Sequence, residues 1–202
     1  MSNENSIAVF DFDGTLYRKD TLIAFCLFVY KKNPWRMRFF PLQCVAAALY
    51  FFKLIPILTF KSLFIRFTSG WNTDELKKQI AAFWSDQKTV DFHDNILQAL
   101  KDCQNKNIPC ICISASPQLF IQPICDQWGI EVLGSEIAQR NNTWVFEFNC
   151  RGKNKVMALQ EKHPNAKVEV VFSDNHDDDH LFAIAQKSFW VKNGNPVPFI
   201  AP

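Results

Sequence analysis

The chain has 202 residues, 48% hydrophobic and 21% charged, with a net charge of +2. That composition excludes a disordered or low-complexity protein, and the length suffices for one core with a small appendage. The charge is uneven: residues 18–70 hold nine Lys or Arg against the single acid Asp20, so that segment is +8 and the remainder of the chain is −6, which suggests two parts with different partners.

The polar start, Met1 to Ser6, carries no signal-peptide pattern. Seven Cys with no Cys-x-x-Cys pair do not make a secreted disulfide framework. The cysteines are expected to be reduced and mostly buried, in a cytoplasmic protein. Ile7 to Phe10 is a short apolar run that reads as a buried strand, and Asp13-Gly14-Thr15 turns the chain sharply after it. An aromatic and basic stretch follows from about Thr21 to Ser69. Pro34, Pro41 and Pro56 cut it into several short helices. Thr73 is placed to cap a helix running to about Ser85, with Asp74 and Glu75 in its first turn.

From Asp91 onward the pattern alternates. A helix near 92–105 precedes an apolar strand over Ile108 to Ile113, in which Cys110 and Cys112 face one side. Pro117 opens a helix that stops near Gly129. Ile130 to Leu133 is a short strand, and Thr143 to Phe148 alternates like a half-exposed one. Residues 155–162 are helical, Val168 to Phe172 is a β-branched strand, 178–186 is helical, and Ser188 to Val191 is a last strand. Such alternation predicts an α/β fold: a Rossmann-like, doubly wound parallel sheet with helices on both faces. The basic aromatic segment then forms a small all-helical cap inserted after the first strand. The expected division is a core of residues 1–17 and 88–202 and a cap of residues 18–87. In such sheets ligands bind beyond the carboxyl ends of the strands, so this insertion lies over the site.

Three strands end in small or acidic polar residues. The first runs into Asp11-Phe-Asp13-Gly-Thr15, the second into Ser114-Ala-Ser116, the third into Ser173-Asp174-Asn-His-Asp-Asp178. Carboxylates gathered on one sheet edge require a cation, and an all-oxygen site favours magnesium. His176 and His180 lack the partner spacing of a zinc site. Ser116-Pro117 reads as a helix cap rather than a site residue.

Asp11-Phe-Asp-Gly-Thr-Leu16, Ser114 closing an apolar strand, Lys155 heading a helix, and Asp174 with Asp178 four residues on follow one another in the order of the four motifs of the haloacid dehalogenase superfamily. The chain resembles that superfamily from residue 7 to about 192. The resemblance implies Asp11 as the nucleophile that forms an aspartyl-phosphate, and Asp13 as general acid and base. Asp13 also points to phosphoryl chemistry, since the dehalogenase branch lacks an acid there. Magnesium would be held by Asp11, the Asp13 backbone carbonyl and Asp174, with Asp178 behind them orienting a water or Lys155. Ser114 and Lys155 would bind phosphoryl oxygens. Lys155 is preferred to Lys153 because Val156 and Leu159 of the helix follow it directly.

The helical insertion after the first motif resembles the phosphoserine phosphatase subgroup. There Asp20 matches an acid that reads the substrate amine; alternatively, with Thr21 it starts the first cap helix. The cap departs from that subgroup in being strongly aromatic and basic. Phe39, Phe40, Tyr50, Phe51, Phe52, Phe60, Phe64 and Phe67 either pack inward or meet an anionic membrane. The cap's longest uncharged run, Phe39 to Phe52, has 14 residues, short of the roughly 18 that span a bilayer. The expected partner is a small-molecule phosphomonoester such as phosphoserine or a lipid phosphate, with peripheral membrane contact through the cap in the second case. No nucleic acid is expected, because the aromatics cluster with apolar residues rather than standing apart as stacking platforms. A phosphotransferase or mutase using the same aspartyl-phosphate, or a non-catalytic phosphate binder, is the alternative function.

Overall fold

Residues 6–199 are described by a computed structural model. Strand β1 (Ser6–Phe10) is fully buried and lies at the centre of a seven-stranded sheet. Helices α1 (Thr21–Lys32), α2 (Phe40–Phe51), α3 (Ile57–Phe64) and α4 (Thr73–Asp86) follow it. Tyr17 and Phe92 form a β-bridge, so the insertion leaves and re-enters the body at neighbouring points. The chain continues through α5 (Asp94–Asn105), β2 (Cys110–Pro117), α6 (Gln118–Gln127), β3 (Glu131–Arg140), β4 (Thr143–Phe148) and α7 (Lys153–Lys162). It closes with β5 (Lys167–Ser173), α8 (Asp179–Phe182), β6 (Lys187–Lys192) and β7 (Asn195–Pro198).

The sheet order is β4-β3-β2-β1-β5-β6-β7. The inner five strands are parallel, while β4 and β7 pair antiparallel at the two edges. The expected α/β doubly wound fold is therefore present, with an antiparallel strand added at each side. Strands β2 and β5 flank β1, and Phe10 stands opposite both Cys112 and Phe172. That register brings the three polar strand ends together on one edge.

Alternation sorts side chains between two cores. Ala8, Phe10, Cys110 and Cys112 face a large cluster shared with α1, α4, α5 and α6. Ile7, Val9, Ile111 and Ile113 face a smaller cluster shared with α7 and α8. A bulge in the β1–β5 pairing between Ile7 and Ala8 reverses the alternation on β5, so Val168 and Val171 share the smaller core. All seven cysteines are free thiols; five are buried, and Cys44 is exposed.

Four elements differ from expectation. Asn72 caps α4, its side chain accepting from the Glu75 N–H at 2.9 Å; Thr73 is one residue inside. Strand β3 runs to Arg140 because its second half pairs with β4 after its first half leaves β2. The expected helix over 178–186 is only a single 3-10 turn at His176–Asp178 followed by α8. The sequence pattern predicts no strand at β7, since Pro196 and Pro198 interrupt it; they sit on an edge, where a missing donor is tolerated. The β3–β4 hairpin also leans on the insertion, Trp144 and Gln139 donating to the Trp71 carbonyl and Ser62 accepting from the Phe146 N–H.

Candidate active site

Asp11 follows the last residue of β1, and its N–H donates to the Phe172 carbonyl of β5 at 2.9 Å. Its side chain is buried. Lys155, in the first turn of α7, donates to Asp11 Oδ1 at 2.8 Å and to Asp178 Oδ2 at 2.7 Å. Asp178 Oδ2 also accepts from Ser173 Oγ at 2.6 Å. Burial opposes the charge on Lys155, but Asp11 and Asp178 outweigh it and raise the ammonium's pKa, so Lys155 stays charged. Burial pushes the Asp11 carboxyl up, and Lys155 only partly pulls it back. Two buried carboxylates share one ammonium here. Lys153, by contrast, is exposed.

The turn after Asp11 is built around Gly14, at φ +77°, a conformation that disfavours other residues. A Cβ there would lie 2.1 Å from Asp174 Oδ2, so the glycine also lets the β5 end approach. Thr15 ties the two loops: its hydroxyl donates to Asp174 Oδ1 at 3.0 Å and accepts from the Asp174 N–H at 3.1 Å. Burial raises the Asp174 pKa as well.

Asp13 Oδ1 accepts from the Thr21 N–H at 2.8 Å and from the Thr21 hydroxyl, while Oδ2 accepts from Ser116 Oγ at 2.5 Å. Burial and, secondly, Asp20 lift the carboxyl to about 6 against these bonds. Ser114 is buried beside it and accepts from the Ser116 N–H at 3.0 Å. Asp20 caps α1, accepting from the Ile23 N–H at 2.9 Å.

These groups open on one cavity of about 270 Å³ at the carboxyl ends of β1, β2 and β5. Asp11, Asp13, Ser114, Lys155 and Asp178 all line it, and so does Asp20. Asp174 stands behind it against Gly14 and Thr15. Three further side chains contribute that no motif in the sequence marks. Ser116, expected as a helix cap, instead donates to Asp13, and α6, whose N-cap is Pro117, has no side-chain cap. Arg151 lines the cavity and bonds Asp177 through Nε at 2.5 Å. Lys61, from α3, reaches in to donate to the Ala115 carbonyl and to Asn149 Oδ1, both at 2.7 Å. The available signal for Lys61 was one lysine isolated in an otherwise uncharged helix.

The donor set suits a hard divalent cation. Asp11 and Asp174 supply carboxylates whose burial without enough positive charge raises their pKa, and a cation reverses that cost. Among the described residues no three His, Cys, Asp or Glu side chains converge as a metal cluster, so a cation held by Asp11 and Asp174 would need a carbonyl, water or substrate oxygen to complete its shell. His176 lies against Trp190, the ring centroids 4.3 Å apart and the planes tilted by 40°.

A family model for haloacid dehalogenase-like hydrolases matches residues 8–182. The chain belongs to this family. Protein CicA of Caulobacter vibrioides is 24% identical over 204 residues, covering 97% of this chain and 90% of that protein. A protein of unknown function from Bordetella pertussis Tohama I has the same fold, with a TM-score of 0.78 at 14% identity, covering 92% of this chain and 89% of that one. A phosphoserine phosphatase solved as a phospho-aspartyl intermediate analogue aligns with a TM-score of 0.58 at 12% identity, covering 92% and 85%. Family and fold together define an enzyme of the haloacid dehalogenase-like hydrolase class, with a fold shared by that phosphoserine phosphatase.

Proposed function

We propose that the protein is a magnesium-dependent phosphoric monoester hydrolase working through an aspartyl-phosphate on Asp11. The observation that carries this reading is the meeting of Asp11, Asp13 and Lys155 on one cavity, because a phosphate binder has no use for a buried carboxylate nucleophile.

Asp11 attacks phosphorus, and the ester oxygen leaves with a proton from Asp13. Asp13 then takes a proton from water, which attacks the phosphoryl group and frees Asp11 and inorganic phosphate. Ser116 and Thr21 hold Asp13 in place for both transfers. Ser114 and Lys155 bind the phosphoryl oxygens as their charge builds. Asp178 keeps Lys155 aimed at Asp11. Asp11, Asp174 and the Asp13 carbonyl would hold Mg2+, which offsets the repulsion between phosphate and carboxylate when bound.

We read residues 18–87 as the cap over this cavity, with Lys61 its cationic contribution. The phosphoserine phosphatase likeness and the acid at Asp20 support a small polar phosphomonoester as one substrate class. The aromatic cap supports a lipid phosphate as the other.

The test is phosphate release from an aryl phosphate, phosphoserine and a lipid phosphate, with and without magnesium. Release should require magnesium and fall at least about a thousandfold in Asp11→Asn. Undiminished release in Asp11→Asn would remove Asp11 as nucleophile.

A further inference from the structure

Helix α2 is built inside out. Its twelve residues carry no charge, and only Gln43 and Ala46 are buried. The polar Gln43 is used inside, accepting from Tyr30 at 2.8 Å and donating to the Phe64 carbonyl at 2.8 Å. The apolar side chains point out: Phe40 is 52% exposed, Val45 55%, and Phe51 79%. The turns at its two ends continue the pattern, with Trp35 at 73%, Phe52 at 68% and Leu54 at 68%. A helix apolar around most of its circumference belongs in a core or against lipid, and an apolar surface of this extent marks an interaction site.

Cations sit at both ends of that surface. Arg38 lies over the rings of Trp35 and Phe39, 5.5 and 5.0 Å from their centroids. Lys53 stands exposed between Phe52 and Leu54. From Thr21 to Thr73 the chain has no Asp or Glu. An apolar centre rimmed by long cations complements an anionic lipid surface, where rings enter the headgroup region and Lys and Arg reach phosphates. A second copy of this chain would set like charges against each other across a twofold interface. At 1.5 Å per residue α2 is about 18 Å long, against a hydrocarbon core of about 30 Å. A helix of that length on a bilayer would lie in the interface rather than span it. No helix among the described residues is long and apolar enough to cross a membrane.

We propose that α2 and its flanking turns dock the protein on an anionic bilayer surface. Helix α3 packs against α2 and carries Lys61 into the cavity, so the docking face and the catalytic cavity share one helical hairpin. The proposal stands apart from the phosphatase reading, because binding is measured without turnover.

The experiment is flotation of the full chain with vesicles of phosphatidylcholine, with or without phosphatidylserine, at low and high salt. The wild type should float with the anionic vesicles only, and less at high salt. Phe51→Ser/Phe52→Ser and Arg38→Glu/Lys53→Glu should each cut the bound fraction about tenfold. Thermal unfolding of each variant checks the fold, and the salt dependence of the wild type carries the same test with no substitution. Failure of the wild type to float, or equal flotation with neutral vesicles, overturns the proposal. So does a concentration-dependent dimer that Phe51→Ser/Phe52→Ser dissociates while vesicles leave the protein unbound.

Discussion

Burial lowers the Lys61 pKa from its ordinary 10.5 to about 8, against smaller contrary pulls from Asp13 and Asp20. Lys155 moves the other way because two carboxylates touch it, whereas Lys61 finds only neutral oxygens. Lys61 is thus an ammonium below about pH 8 and an amine above it. If it helps to bind the substrate's negative charge, KM rises above that pH, a limb that Lys61→Met abolishes and Lys61→Arg moves out of range, since guanidinium keeps its proton. The stability sign follows separately. Between about pH 8 and 10.5 the unfolded chain binds more protons at this position than the folded one, so stability rises with pH through that window and Lys61→Met removes the rise. A KM–pH profile with the same alkaline limb in Lys61→Met would exclude the binding role.

At the scale of elements, the start of α4 separates neighbouring residues. Asn72 bonds the Glu75 N–H, one of the helix's unpaired donors, while Thr73 lies within the helix with no such bond. Asn72→Ala should cost about 1 kcal/mol in urea denaturation, and Thr73→Ala should stay within about 0.5 kcal/mol. Equal losses would mean that the cap is shared. Sequence pattern located this helix but not its first residue, since Asn and Thr both favour a cap. It failed more fully at α8 and β7, because a single helical turn and a proline-bearing edge strand have no periodicity to detect. For α2 it found an apolar segment punctuated by Pro41, but periodicity cannot tell which side of an almost wholly apolar helix is covered.

Across the whole molecule, insertion and sheet share one apolar cluster. Phe25 of α1 meets Phe120 of α6 at 4.9 Å and Phe83 of α4 at 5.5 Å. Trp84 lies 5.8 Å from Phe12, which follows Asp11 by one position. Helices α1 and α4 are therefore part of the body's core, whereas α2 is largely exposed. Unfolding should proceed in one transition, with tryptophan fluorescence and far-ultraviolet circular dichroism superimposing. Phe25→Ala should lower stability by about 3–5 kcal/mol. A separate early loss of helix would contradict the shared core.

The β-branched runs, the Asp11 to Thr15 turn and the acidic end of β5 were legible because each is local: strand period, glycine turn and carboxylate spacing lie within a few residues of chain. From them the parallel sheet and the residues Asp11, Asp13 and Asp174 follow. Tertiary structure decided what depends on distant partners. Lys155 rather than Lys153 meets Asp11 because the pair, 144 residues apart in sequence, is joined by packing α7 beneath the β1 end. Ser116 meets Asp13 across 103 residues, and Lys61 meets Asn149 across 88. The aromatics between Phe39 and Phe67 divide the same way: Phe67 is buried and Phe51 is exposed. Burial is set by what other parts of the chain cover, and no local pattern records that.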